Sequence, residues 1–190
     1  MPFSQKFMNR APALVAAGLI RKHSSNEFSR GTYILPVEAK VVTEVGSKGI
    51  SPTHQYQMKN SIDFFVPDGT PIFAAASGVV VEMMKSSDMT GMTIKHWYKG
   101  NHVELHHPQF DEYTWYEHLH FNEVYVKIGD KVKVGTIIGL SGNTGFSEVP
   151  HLHFQVTQYP PGENWLDFVT VKARFDSIKG LPMDPYAKND

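Results

Sequence analysis

Pro150-His151-Leu152-His153-Phe154-Gln155-Val156 alternates polar and apolar side chains along its length. The period-two pleat of a strand puts His151, His153 and Gln155 on one face and Leu152, Phe154 and Val156 on the other. The apolar set is expected to bury in a core. The two imidazoles are then aimed together at a cleft or at solvent. A His pair two apart on a strand supplies one metal ligand and one base, or two ligands.

The same texture extends back from this strand to Thr32. Short β-branched and aromatic runs recur at Ile72 to Ala76, Val79 to Met84, Met92 to His96, Val103 to His106, Tyr113 to Leu119 and Val124 to Ile128. Turn signals separate them: Pro67-Asp68-Gly69, Lys99-Gly100-Asn101, Gly129-Asp130 and Gly142-Asn143. This hairpin-like spacing predicts a mainly β chain, an antiparallel sheet or sandwich, and argues against a parallel α/β fold. Residues 1–45 read as an N-terminal extension with one short helical piece, Pro12 to Lys22. Residues 46–158 read as the central domain. Residues 159–190 read as a C-terminal tail docked on it, with one strand-like piece, Phe168 to Ala173.

Composition narrows the chemistry. With 190 residues, 41% of them hydrophobic, the chain can bury one real core. Its formal charge of -1, from 18 basic and 19 acidic residues, gives no electrostatic reason to expect nucleic acid or an anionic membrane surface as partner. Ten His and no Cys exclude disulfides and thiolate zinc sites, so a metal site here must use His and carboxylates. No apolar run reaches the ~18 residues of a spanning helix. Ala11 to Ile20, after Lys6 and Arg10, has some character of an export signal. It is short, contains Pro12 and runs into Arg21-Lys22-His23 instead of a small-residue cleavage site, so it reads as a helical piece. Oligomeric state is not legible.

Two further segments carry chemistry. In Tyr113-Thr114-Trp115-Tyr116-Glu117-His118-Leu119, strand alternation groups Thr114, Tyr116 and His118 on one face. Asp63 follows Asn60-Ser61-Ile62 and precedes Phe64-Phe65-Val66. A carboxylate among large apolar residues needs a partner, whether a metal, a cap or a salt bridge.

These pieces together resemble the lysostaphin-type zinc endopeptidases, the LytM-domain family. The stretch Ile62-Asp63-Phe64-Phe65-Val66-Pro67-Asp68-Gly69-Thr70-Pro71 looks like that family's metal-binding segment, and Ile72 to Val80 continues in its style. Gly100-Asn101-His102-Val103, Tyr116-Glu117-His118-Leu119, Val126 to Gly139, Ser141-Gly142-Asn143-Thr144-Gly145 and His151-Leu152-His153-Phe154 follow in the family's order. The resemblance spans roughly residues 50 to 157. It implies one zinc per chain held by two His and one Asp, and cleavage of peptide bonds in cell-wall peptidoglycan outside the cytoplasm. By position it makes Asp63 and His153 ligands, His151 the catalytic base and His118 the second catalytic histidine. It also makes residues 142–145 one wall of the substrate groove. Such a His/His/Asp set leaves a tetrahedral zinc one open position, the catalytic arrangement.

One departure matters. The commonest family pattern has a His four residues before the Asp, where this chain has Lys59. A variant pattern has Ser or Thr and then His, nine residues before the Asp, and Thr53-His54 fits it. His54 is therefore the expected third ligand, with Gln55 to Ile62 looping out as an exposed rim. The alternative is a distant His such as His96, His106 or His120. Two other readings stand beside the enzyme: an inactive relative that binds cell wall or activates a hydrolase, and a biotinyl- or lipoyl-carrier half-motif at Val126 to Gly135. The carrier reading leaves His118, His151 and His153 unused.

Overall fold

The computed structural model describes residues 16–18, 20, 24–46, 51, 53–159 and 168–186. The helical piece and export-signal candidate fall outside these residues, except for positions 16–18 and 20. The described residues contain thirteen strands: β1 (Phe28–Tyr33), β2 (Glu44–Gly46), β3 (Ile62–Phe65), β4 (Pro71–Phe73), β5 (Gly78–Met84), β6 (Thr90–Gly91), β7 (Asn101–His107), β8 (Glu112–Val124), β9 (Lys131–Val132), β10 (Ile137–Ser141), β11 (Gly145–Phe146), β12 (Leu152–Gln158) and β13 (Val169–Phe175). Among the described residues no helix reaches seven residues, so the chain is mainly β, as its turn spacing predicts.

Eleven strands form one curled sheet whose main path runs β1-β13-β12-β8-β7-β5-β9, with β3, β2, β10 and β4 branching from it. Its pairs are antiparallel except β1 with β13, and β6 and β11 form a separate parallel pair. Two expected strands are absent. Met92 to His96 contains a 3-10 turn, Ile94–His96, whose end is closed by the Trp97 N–H on the Ile94 carbonyl. After Val124, the end of β8, the chain leaves the ladder and turns at Gly129 (φ +91°) before β9. In the tail, β13 lies one residue later than the predicted run begins and docks on β12.

Alternation explains the core. Leu152, Phe154 and Val156 of β12 are buried with Ile62 and Phe64 of β3, Val103 and Leu105 of β7, and Tyr116 of β8. Buried aliphatic and aromatic side chains of this kind each stabilise by about 1.5–3 kcal/mol relative to exposure. A buried carboxyl group fastens β1: Glu112 accepts from the Arg30 and Gly31 N–H groups, from the Tyr33 hydroxyl and from Gln158 Nε2.

Candidate metal centre and its groove

β12 lies between β8 on one side and β3 and β13 on the other, and β3 faces its N-terminal half. His153 is directly opposite Asp63 in that ladder. Directly opposed residues share a face, so the ladder aims both side chains the same way. His153 Nδ1 lies 2.9 Å from Asp63 Oδ1. His54 reaches the same oxygen at 3.1 Å through Nε2, and His153 Nδ1 at 3.2 Å. All three side chains are buried. Nδ1 of His54 is buried without a hydrogen-bond partner among the described residues, so the ring's polar contacts run through Nε2.

These three donors fit a metal ion. A tetrahedral ion with ligands at about 2.0–2.2 Å holds its donors roughly 3.3–3.6 Å apart. The observed separations, 2.9, 3.1 and 3.2 Å, are within a few tenths of an ångström of that spacing. This is the group among the described residues that could hold a metal ion. The electrostatics agree. Burial alone would raise the Asp63 pKa, but His54, His151 and His153 outweigh it and hold the carboxyl well below its usual range. Burial lowers the His54 pKa against the pull of Asp63, which favours the neutral, ligating imidazole. For His153 burial also disfavours charge, but its hydrogen bond and charge interaction with Asp63 win, and the pKa is raised.

His151 and His118 flank the three. His151 Nε2 is 3.6 Å from Asp63 Oδ1, its ring stacks on Phe65, and its Nδ1 donates to the Val149 carbonyl at 2.8 Å. His118 Nδ1 donates to the Thr144 carbonyl at 2.7 Å, and its ring centroid is 4.6 Å from that of His151. A carbonyl can only accept, so both Nδ1 atoms carry the proton and both neutral Nε2 atoms present a lone pair. Burial, with like-charge neighbours, lowers the pKa of His151 to about 3 and that of His118 to about 4.

His118 reaches this place by a β-bulge. Asn101 of β7 pairs with Leu119 while His102 pairs with Glu117, so His118 is the extra residue, at φ +63°. Regular alternation would leave it beside Thr114 and Tyr116, which face the core. The expected shared face is thus broken, and the bulge re-aims the imidazole toward His151 and His153. Positive φ costs a non-glycine residue free energy that the surroundings must offset. Here Thr144 holds it: its hydroxyl accepts from the Asn101 N–H and donates to the Leu119 carbonyl, while its own carbonyl takes His118. Gly145 follows at φ +85°, with its Cα facing Gly100 so closely that a Cβ would stand 2.5 Å from that backbone.

The same ladder lays out a groove. Opposed pairs Glu82 and Glu104, Met84 and His102, Glu104 and Trp115, His102 and Glu117, Trp115 and Gln155, and Glu117 and His153 tile one face of β5, β7, β8 and β12. They floor a cavity of ≈ 440 Å³ into which His118 and His153 also open, with Phe146 and Tyr159 at its sides. Sequence reading missed Glu104, Trp115 and Glu117 as floor residues, although their odd and even positions in β7 and β8 carried the signal. Residues 142–145 reach the site at two points: Thr144 braces His118, and Gly142 pairs with His151 in an isolated antiparallel bridge.

His151, His153 and Gln155 share a face and are buried, with His153 and Gln155 lining the groove. One further expectation needs correction. Gln55 to Ile62 does not loop out as an exposed rim. It contains a 3-10 turn, Tyr56–Met58, and Gln57, Asn60 and Ser61 are buried. Thr170 of β13 accounts for this: its carbonyl accepts from Asn60 Nδ2 at 2.6 Å, and its hydroxyl donates to the Gln57 carbonyl. The distant histidines are elsewhere. His96 Nδ1 lies 2.8 Å from Thr93 Oγ1, His106 stacks on Tyr113, and His120 Nδ1 lies 3.0 Å from the Phe121 carbonyl.

In sequence and fold the chain is similar to known peptidases. The sequence model of Peptidase family M23 matches residues 57–167, beginning three positions after His54. Peptidoglycan DD-endopeptidase ShyA of Vibrio cholerae is 32% identical over 158 residues, covering 80% of this chain and 34% of its own length. Lysostaphin of Staphylococcus simulans is 42% identical over 98 residues, covering 52% of this chain and 18% of its own. The chain therefore spans about a third or less of these relatives. Among solved structures, a zinc containing peptidase from Vibrio cholerae superposes with a TM-score of 0.50 at 30% identity, over 67% of this chain and 37% of that one.

Proposed function

The chain belongs to peptidase family M23, and from that premise we propose that it is a zinc-dependent endopeptidase that hydrolyses peptide bonds of bacterial cell-wall peptidoglycan. The observation that carries the reading is the convergence of His54, Asp63 and His153 on one point, beside His118 and His151, with His118 and His153 lining a groove. Residues 46–158 form the proposed catalytic domain, with 1–45 and 159–190 as flanking segments. β1 and β13, one from each flanking segment, pair with each other, and β13 joins them to the sheet through β12. The relatives' names place their substrate in the cell wall, so the proposed site of action is extracytoplasmic. No described helix is long and apolar enough to cross a membrane.

His54, Asp63 and His153 are the proposed ligands of one zinc ion. Such an ion, when bound, polarises a carbonyl and acidifies water at its open position. The protein's own groups supply the rest. His151 presents a bare Nε2 beside Asp63, held in that tautomer by Val149, and is the proposed general base. Having taken a proton there, it can give it to the leaving amine. His118, fixed by Thr144, presents its Nε2 from the other side and is the proposed second catalytic histidine. With one proton taken up from solvent at Nε2, it can donate that Nε2–H to the developing oxyanion. Negative charge developing beside it favours that protonated form. The groove floor orients the substrate chain across these groups.

Metal analysis of the purified protein tests the reading. About one zinc per chain is expected, removable by chelation and restored by added zinc. Protein that takes up no zinc when it is supplied would overturn it.

A further inference from the structure

Beside the proposed ligands, where the groove floor meets β3, lies a polar pair, Ser61 and Gln155, with no part in the proposed ligand and acid–base set. Gln155 follows His153 by two residues on β12 and faces the same side of the sheet. Its Oε1 accepts from the Ser61 hydroxyl at 2.9 Å and lies 3.2 Å from His153 Nε2. Ser61 sits two residues before Asp63, in the segment leading into β3, and is fully buried. The two strands that supply His153 and Asp63 are therefore also joined one step further along by Ser61 and Gln155.

We infer that Gln155, anchored by Ser61, is a positioning residue that fixes the proton of His153 on Nε2 and so leaves Nδ1 free to bind the metal. An amide oxygen has no proton to give, so the hydrogen between Gln155 Oε1 and His153 must come from the imidazole. With Nε2–H committed there, a neutral His153 directs its Nδ1 lone pair at Asp63 Oδ1, 2.9 Å away, and at His54 Nε2. Two acceptors this close repel unless a positive charge lies between them. A metal ion held by both would supply that charge. Gln155 thus makes the His153–Asp63 pair a place that demands a cation. A hydrogen bond from the far ring nitrogen also fixes the plane of the imidazole and raises its basicity as a ligand.

This inference rests on the zinc reading, and two measurements separate its failure from failure of that reading. The first is zinc affinity, by competition with a chromophoric chelator, for wild type, Gln155→Leu and Gln155→Glu. Leucine removes the acceptor and glutamate keeps it. Gln155→Leu is expected to bind zinc about 10–100-fold more weakly, the range for loss of such a partner, with a thermal midpoint that shows it folded. Gln155→Glu is expected to recover affinity to near wild type or better. The second is the 15N imidazole spectrum of the zinc-loaded protein. A His153 Nε2–H that exchanges slowly with solvent is expected in wild type, and a faster-exchanging one in Gln155→Leu. Wild-type affinity in Gln155→Leu, or a His153 Nε2–H that exchanges equally fast in both proteins, would overturn the inference while leaving the zinc site standing. Wild-type protein that binds no zinc would overturn the zinc reading and this inference with it.

Discussion

His54 Nε2 lies 3.1 Å from Asp63 Oδ1, although the two residues are nine positions apart and the intervening chain is a compact 3-10 turn. The turn is pinned from the far end of the chain by Thr170, which engages Gln57 and Asn60. If His54 is the third ligand, His54→Ala loses zinc affinity by more than the roughly 10–100-fold that loss of a supporting partner costs. Chelator competition measures this. Wild-type affinity in that variant would return the third ligand to another histidine.

His151 and His153 are adjacent on one strand face yet are expected to fail differently. His151→Ala should abolish hydrolysis and keep the metal, because its Nε2 stands 3.6 Å from Asp63 Oδ1 as a neighbour of the ligands. His153→Ala should lose both. Zinc content and hydrolysis measured on the same two preparations check the division. Release of zinc from His151→Ala would reverse their roles.

His118→Ala should slow turnover by about a hundredfold or more, as for loss of one transition-state donor. It should leave the fold intact, because the bulge is also held by Asn101 and Thr144. Steady-state rates with a thermal midpoint as control decide this. Unchanged turnover would reduce His118 to a structural feature of the bulge.

Glu104 gives a pH prediction away from the proposed ligands. Burial pushes its carboxyl up to about 7; the Tyr159 hydroxyl and His102 pull it back, and Glu82 adds to the rise. In the unfolded chain the group ionises near 4.5. Between those values the folded protein holds a proton that the unfolded chain has released. The group's contribution to stability is therefore full below 4.5 and falls as pH rises toward 7. Glu104→Gln, which keeps an acceptor for Tyr159, should remove that fall and gain on the order of 1–3 kcal/mol over wild type above pH 7. Denaturant unfolding of both proteins between about pH 4 and about pH 8 tests it. Parallel stability curves would show that Glu104 ionises normally.

The strands near the site were readable because their side chains alternate without interruption. Leu152, Phe154 and Val156 buried as a set, and Asp63 found the partners a buried carboxylate requires. His118 was not readable by that rule. Its orientation depends on a register shift against β7, which is a property of two strands and not of one segment's pattern. Gln57, Asn60 and Ser61 looked like rim residues because they are polar. They are buried because Thr170 and Gln155, more than ninety positions away, satisfy them. Burial of polar groups follows from long-range partners, and local composition carries no trace of those.

The central claim is hydrolysis of peptide bonds in the cell wall by a metal-dependent site. Its most direct test is the appearance of new free amino groups in purified peptidoglycan incubated with zinc-loaded protein and, in parallel, with protein stripped by a chelator. The account predicts amino groups that accumulate with time only in the zinc-loaded sample, and that reappear when zinc is returned to the stripped one. No increase with zinc-loaded protein, or an equal increase with and without metal, would contradict it.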